Sequence, residues 1–267
     1  MKDILLTLLL TIQCGSSTVA QNFALQDSAR RHEYNFSQLG NETVAFIKQP
    51  TNWRTEDYLK LGLMAAGTFL VMQADQPIRT AVQKDQRYYY SVPIVGGRAW
   101  GELYSPITLF SLYAVLSSIT GDNGTRKIAY EIVQASLYAS AIAFLLKETI
   151  GRARPFTEEG RASYHPLTLF SDNYHSLPGG HTTVAVGLST VLSRNAGPTW
   201  LKIVAYLPAG LTAISRVYQD EHWASDDFLG AAVGYFVAEW VVNQHEQKEN
   251  RIELSSVYPF TVRIILH

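Results

Sequence analysis

The sequence predicts an all-α protein, a bundle of about six core helices, and three observations carry that expectation. Apolar blocks of helical length recur from residue 55 onward, separated by Gly, Pro and charged stretches. No run in the middle of the chain alternates apolar and polar residues as a half-buried strand does. Hydrophobic residues make up 47% of the 267 and charged residues only 17%, which excludes a disordered chain.

Taken in order, residues 21–40 are polar and patternless, and 21–50 reads as a loosely ordered lead-in. Helices are expected over 55–72, 106–119, 126–147, 181–192, 199–214 and 225–244, with a shorter one over 78–83. Only 252–266, rich in β-branched residues, reads as extended, and 251–267 is set apart as a C-terminal extension. There is no internal repeat and no clear linker after residue 50. One domain over 51–250 is the simplest organisation.

The first twenty residues have a different character. Lys2 precedes the apolar run 4–12, and small and polar residues follow to Ala20. That order reads as a secretory signal peptide cleaved after Ala20, leaving Gln21 first, and about nine apolar residues are too few to span a bilayer. Asp3 and the single Lys make the n-region weakly basic, so a retained anchor stays open. The only cysteine, Cys14, falls inside this segment. Gln13 before it is not the small residue that a lipidated cysteine follows. After cleavage no cysteine remains, and neither disulfides nor thiol chemistry are available. The protein is therefore expected to be exported, to the periplasm or to a membrane.

Net charge is −1, from 22 Lys and Arg against 23 Asp and Glu, and removing Lys2 with Asp3 leaves it there. No basic field attracts nucleic acid. A mean hydropathy of −0.01 lies between soluble and membrane classes. The longest uncharged stretch, 103–121 apart from Glu102 before it, is dense in Ser, Thr and Tyr. Glu131, Gln134, Lys202 or Glu239 interrupt the other helices. A bundle buried on most helix faces, resting on a membrane surface, fits better than spanning helices, because Glu239 is costly at mid-bilayer.

Three segments place charge where an apolar core does not want it. In the first, Lys147 to Pro155, an apolar helix ends and three cations, Lys147, Arg152 and Arg154, arrive within eight residues. Helix C-capping by cations, with Pro as a stop, explains this equally well. In the second, Pro178-Gly179-Gly180-His181 opens a helix. Two glycines let a ligand approach the backbone, and the unpaired N–H groups of a helix start attract anions. A Gly-rich turn before a surface His is the plain alternative. In the third, Ser215 to Asp226, His222 and Asp226 are four residues apart and share a face if the backbone is helical. A carboxylate on one imidazole nitrogen fixes the tautomer and frees the other to attack. An ordinary surface pair is the alternative there.

Together the segments hold what phosphoryl transfer requires: cations for the oxyanion, backbone donors, and two histidines as nucleophile and acid. The order Lys–six residues–Arg-Pro, Pro-x-Gly-His, and Ser-Arg–five residues–His–three residues–Asp resembles the type 2 phosphatidic acid phosphatase (PAP2) family. That superfamily also contains bacterial class A acid phosphatases and vanadium haloperoxidases. The resemblance runs from about Lys147 to Asp226 and implies an all-α PAP2-like bundle. It implies that Lys147, Arg154 and Arg216 bind phosphate oxygens, with Gly179 and the Gly180 N–H holding the phosphoryl group. It also implies that His222 is the nucleophile, oriented by Asp226, and that His181 protonates the leaving oxygen. The expected reaction is metal-free and needs no cofactor. Its substrate is a phosphorylated lipid or small phosphoester.

One position departs from the family pattern. Where the second motif usually reads Pro-Ser-Gly-His, this chain has Gly179. A hydroxyl bond to phosphate is thereby lost, worth about 1.5–3 kcal/mol for a charged acceptor. Weakened catalysis or altered preference is compatible with that loss, but both histidines, Asp226 and the three cations are intact. The chain reads as an active enzyme, with a non-catalytic phosphate-binding protein as one alternative. A vanadate-dependent haloperoxidase is another, although such enzymes are usually much longer. A metal hydrolase using His181, His222, Asp226 and His175 is a third, but the spacing fits no familiar zinc motif and three cations repel a divalent ion. The aromatics Tyr88, Tyr89, Tyr90, Trp100, Tyr104 and Trp223 either face a lipid or fill the core.

Overall fold

The structure, a computed structural model, describes residues 34–249. The signal segment 1–20, with Cys14, and the extended segment 252–266 lie outside the described residues. The chain divides into two units, Met1–Phe46 and Ile47–His267. In the first, α1 (Phe36–Lys48) begins where a lead-in without structure was expected. Its entry is fixed by side chains: Asn35 Oδ1 accepts from Gln38 N at 2.9 Å and Gln38 Oε1 accepts from Tyr34 N at 3.0 Å.

The second unit is all-α among its described residues. Its helices are α2 (Thr55–Met72), α3 (Asp75–Val82), α4 (Val92–Gly101), α5 (Tyr104–Thr120), α6 (Asn123–Ile150), α7 (Gly180–Asn195), α8 (Thr199–Val204), α9 (Leu207–Tyr218) and α10 (Ala224–Glu249). The one extended pairing is an isolated antiparallel bridge between Arg152 and Tyr164. Two differences from the expected helices have local causes. α4 carries Gly96 and Gly97, poor helix formers that mask it in the sequence, yet Gly97 lets α9 approach to where a Cβ would fall 2.4 Å from Leu211 O. The single helix expected over 199–214 is two, because Pro208 has no N–H to continue the ladder and sits instead in the first turn of α9.

α7 and α10 form the central pair. They cross at small residues, and a Cβ on Gly234 would fall 2.3 Å from Thr183 O. Around them α6 contributes Ile132, Ala135 and Ala139, and α7 and α10 contribute Leu188, Val191, Val241 and Val242, all buried. The charges that interrupt these helices are paired. Glu131 accepts from Asn195 Nδ2 at 2.6 Å and lies 3.0 Å from His245 Nδ1, and Glu239 meets Arg194.

Burial on most faces does not hold for every helix. α2 buries only Thr68, and α5 only Pro106 and Ser117. Leu59, Leu63, Phe69 and Leu70 of α2, Ile107, Leu112, Val115 and Ile119 of α5, and Leu137 and Leu145 of α6 are exposed. Faces this apolar exceed the scattered hydrophobes of an ordinary soluble surface. Among the described residues α6 is long and apolar enough to cross a membrane, and α4 with α5 pass the same test only as a pair bent by 69°.

α6 ends in a way that positions the chemistry. Gly151 adopts φ +63°, the left-handed cap, and its N–H returns to Lys147 O at 2.9 Å. A Cβ there would fall 1.8 Å from His165 O, so only glycine lets the 151–179 loop fold back over the helix end.

Candidate active site

The end of α6, the loop after it, the start of α7, the end of α9 and the start of α10 bring the three sequence segments together. Lys147, in the last turn of α6, donates to His175 O, and its Cε lies 3.4 Å from where a Cβ on Gly180 would sit. Arg154 donates to Asp172 Oδ1 at 2.6 Å and to Glu221 Oε2 at 2.5 Å. Arg216, in the last turn of α9, donates to Gln219 Oε1 at 2.8 Å, lies 3.4 Å from the same Glu221 Oε2, and leaves Nε without a partner. Glu221 therefore holds a carboxylate oxygen between two of the three cations.

His222 is enclosed, only 2% exposed. Burial pushes its imidazole well below the ordinary value, and the positive charges of Lys147, Arg154 and Arg216 add to the effect. It is neutral at pH 7, the form with a free lone pair. The helical spacing expected for His222 and Asp226 is not what brings them together, because α10 starts only at Ala224. Nδ1 lies 3.8 Å from Asp226 Oδ2, beyond hydrogen-bond range, and has no partner.

Asp226 is instead the centre of a buried lattice. Its Oδ2 accepts from Ser176 Oγ and, at 2.8 Å, from Trp223 N, the capping-box contact of a helix's third residue. Its Oδ1 accepts from Arg152 Nη1 at 2.6 Å, and Arg152 Nη2 donates to Asp75 Oδ2 at 2.8 Å. Asp75 in turn accepts from Ser225 N at 2.9 Å and Ser225 Oγ at 2.6 Å. The Arg152 guanidinium stacks 5.5 Å over Trp223. Trp223 is thus core rather than lipid-facing, its Nε1 donating to Ala153 O at 3.0 Å. Tyr88, Tyr90 and Tyr104 are exposed. Trp100 donates to Ser189 Oγ at 3.1 Å.

On α7, His181 Nε2 lies 3.1 Å from Glu102 Oε1 without hydrogen-bond alignment. Burial and Arg216 push His181 below its ordinary value, and Glu102 pulls it back up. Gly179 N donates to Asp226 O at 2.8 Å, which ties the glycine turn to the start of α10.

Sequence reasoning left out Glu102, Asp75, Ser176, Ser225, Glu221 and Asp227 as site residues. Arg152 stood in the first segment as one of three clustered cations, but nothing in its spacing showed that it faces Asp226 rather than the ligand. Glu102 and Asp75 come from distant helices and carry no sequence signal. Among the described residues no three His, Cys, Asp or Glu side chains are grouped to hold a metal ion, and His175 faces Glu148 at 3.3 Å.

The family model of the PAP2 superfamily matches residues 130–250. Over those residues the chain is similar to the PAP2 superfamily. The matched stretch contains all eight candidate residues, whereas Glu102 and Asp75 lie before it. Over 82 residues, 30% of this chain, the sequence is 37% identical to the lipid A 1-phosphatase of Porphyromonas gingivalis. The match spans only 18% of that relative's length. The PAP2-type transmembrane phosphatidylglycerolphosphate phosphatase of Bacillus subtilis has the same fold. Its TM-score is 0.54 at 22% identity, over 71% of this chain and 94% of that one. LpxE of Aquifex aeolicus overlays with a TM-score of 0.49 at 20% identity, over 63% of this chain and 94% of its own.

Proposed function

We propose that this chain is a PAP2-type, metal-independent phosphatase that hydrolyses a phosphomonoester or diphosphate of a lipid through a phosphohistidine intermediate. The observation that carries the reading is an enclosed His222, its imidazole pushed well below its ordinary value by burial and by the charges of Lys147, Arg154 and Arg216. Those cations neutralise the three equatorial oxygens, and the Gly180 N–H at the α7 start adds a backbone donor. His222 Nε2 attacks phosphorus, a P–N bond forms, and the P–O bond to the lipid breaks. The leaving oxygen takes its proton from the imidazolium form of His181, which Glu102 favours against burial and Arg216. Water then attacks phosphorus, gives its proton to His181, and breaks the P–N bond to free phosphate. Asp226 approaches Nδ1 as imidazole charge develops; such contacts are often long before substrate binds.

A lipid substrate is supported by the exposed apolar faces of α2, α5 and α6, which suit contact with acyl chains. Export to the periplasm, with association at a membrane surface, completes the reading. The names of the two lipid phosphatases it resembles suggest the panel: phosphatidic acid, phosphatidylglycerol phosphate and lipid A 1-phosphate. Each is assayed beside p-nitrophenyl phosphate, with EDTA and with vanadate. Activity that survives EDTA and is blocked by vanadate supports the proposal; activity lost in EDTA and restored by Zn²⁺ contradicts it.

His181→Ala separates the two histidines. It should lower turnover of the lipid, a poor leaving group, by about 10²–10⁴-fold. It should affect p-nitrophenyl phosphate far less, because that leaving group departs without a proton. Equal losses on both substrates would remove His181 from the acid role.

A further inference from the structure

Asp227 is a buried carboxyl that the mechanism above does not use. It is 4% exposed, on the first turn of α10, and fills the space in front of Gly179. A Cβ built on Gly179 would fall 2.3 Å from Asp227 Oδ1 and 3.2 Å from Asp227 Cα. Any side chain at 179 would therefore displace this carboxyl. Oδ1 accepts from Thr182 Oγ1 at 2.6 Å, which fixes the carboxyl beside the α7 N-terminus. Oδ2 is buried with no partner. An orphaned buried oxygen of this kind costs about 1–3 kcal/mol unless something meets it.

We propose that Asp227 is an additional phosphate-site residue, whose carboxyl takes the place of a side chain at position 179 and whose unpartnered Oδ2 donates a hydrogen bond to a phosphate oxygen. The proposal rests on the phosphate-binding reading of the site. Gly179 and Asp227 then form one unit: the glycine makes room, and the carboxyl supplies the hydroxyl group.

The donor form is the protonated one. Burial pushes the Asp227 carboxyl well above the ordinary carboxylate range, and the Asp226 charge adds to the push. Against it act the Thr182 hydroxyl from α7, Arg216 from α9 and Lys147 from α6. Asp75, from α3, is engaged with Arg152 and Ser225. With its pKa raised in the folded protein, Asp227 holds its proton to higher pH than an ordinary carboxylate and loses the donor as pH rises through that value.

Binding of inorganic phosphate to the full chain, measured by calorimetry, reads this without turnover. Asp227→Val should weaken binding at pH 7 by at least about tenfold. Asp227→Asn, whose amide is also a donor, should lose less than about threefold. Its binding should also weaken less than the wild type's at alkaline pH, the remaining loss coming from Lys147, whose burial lowers its ammonium pKa to about 7. Gly179→Ser alone should weaken binding by at least about tenfold, because it collides with the carboxyl. In Gly179→Ser/Asp227→Val most of that loss should return, a non-additive cycle. Thermal melts check that each variant is folded. Valine and asparagine variants that bind equally, or a strictly additive cycle, would overturn the proposal. A wild type that binds phosphate but hydrolyses nothing defeats the catalytic reading and leaves this inference standing. A wild type that does neither overturns both.

Discussion

His222→Ala is expected to lower turnover on every substrate by at least about three orders of magnitude, because the atom that bonds to phosphorus is gone. The loss should appear in kcat, with phosphate affinity retained within a few fold. Lys147, Arg154 and Arg216 reach the site from α6, the loop after it and α9, and none is held by His222. The fold should persist as well, since no hydrogen bond to the imidazole supports it and its Nδ1 has no partner. Steady-state kinetics with phosphate as product inhibitor measures both quantities. A variant with near-normal kcat would mean that another group attacks. A variant with lost phosphate affinity would mean that His222 chiefly positions the cations.

The second large effect is on stability. Arg152 joins Asp75 and Asp226, and all three side chains are fully buried. Arg152→Met leaves two carboxylates in the interior without their counter-charge, a loss of about 3–5 kcal/mol. For a domain of this size that is a fall in Tm of roughly 6–20 °C. Arg152→Lys should rescue little, because one ammonium cannot reproduce a fork that serves Asp75 on one side and Asp226 and Ser225 on the other. The comparison is Arg79, whose partner Glu158 is exposed. Breaking that pair with Glu158→Gln should leave the melting temperature nearly unchanged. Calorimetric melting in one detergent distinguishes the two. An Arg152→Met protein melting within about 2 °C of the wild type would show that the lattice is not what holds the start of α10.

Much of this architecture is legible in the sequence, and what is not has physical reasons. The long apolar stretches of α2, α6, α7 and α10 announce them because no proline breaks them over several turns, and single charges such as Glu131 and Glu239 do not hide the pattern. α4 is hidden by Gly96 and Gly97, whose weak propensity is overridden by close packing against Leu211. The site segments are legible because each packs several charged or glycine positions into a short window. The side chains behind them are not, because Glu102 arrives from the bend after α4 and Asp75 from α3, and local spacing carries no record of distant contact. The case of Asp226 is subtler. Four-residue spacing suggested a helical pair with His222, whereas Asp226 belongs to the helix start and His222 precedes it. Exposure of α2 and α5 was also illegible, since apolar helices read alike whether they face protein or lipid.

The central claim is that His222 carries the phosphoryl group, and trapping the phosphoenzyme tests it most directly. The protein is quenched during turnover of a ³²P-labelled lipid phosphate and the labelled peptide is sequenced. The expected label is acid-labile and alkali-stable, maps to His222, and accumulates when His181→Ala slows its hydrolysis. It is absent from His222→Ala. An acid-stable label on a serine or threonine, or the same label in His222→Ala, would contradict the account.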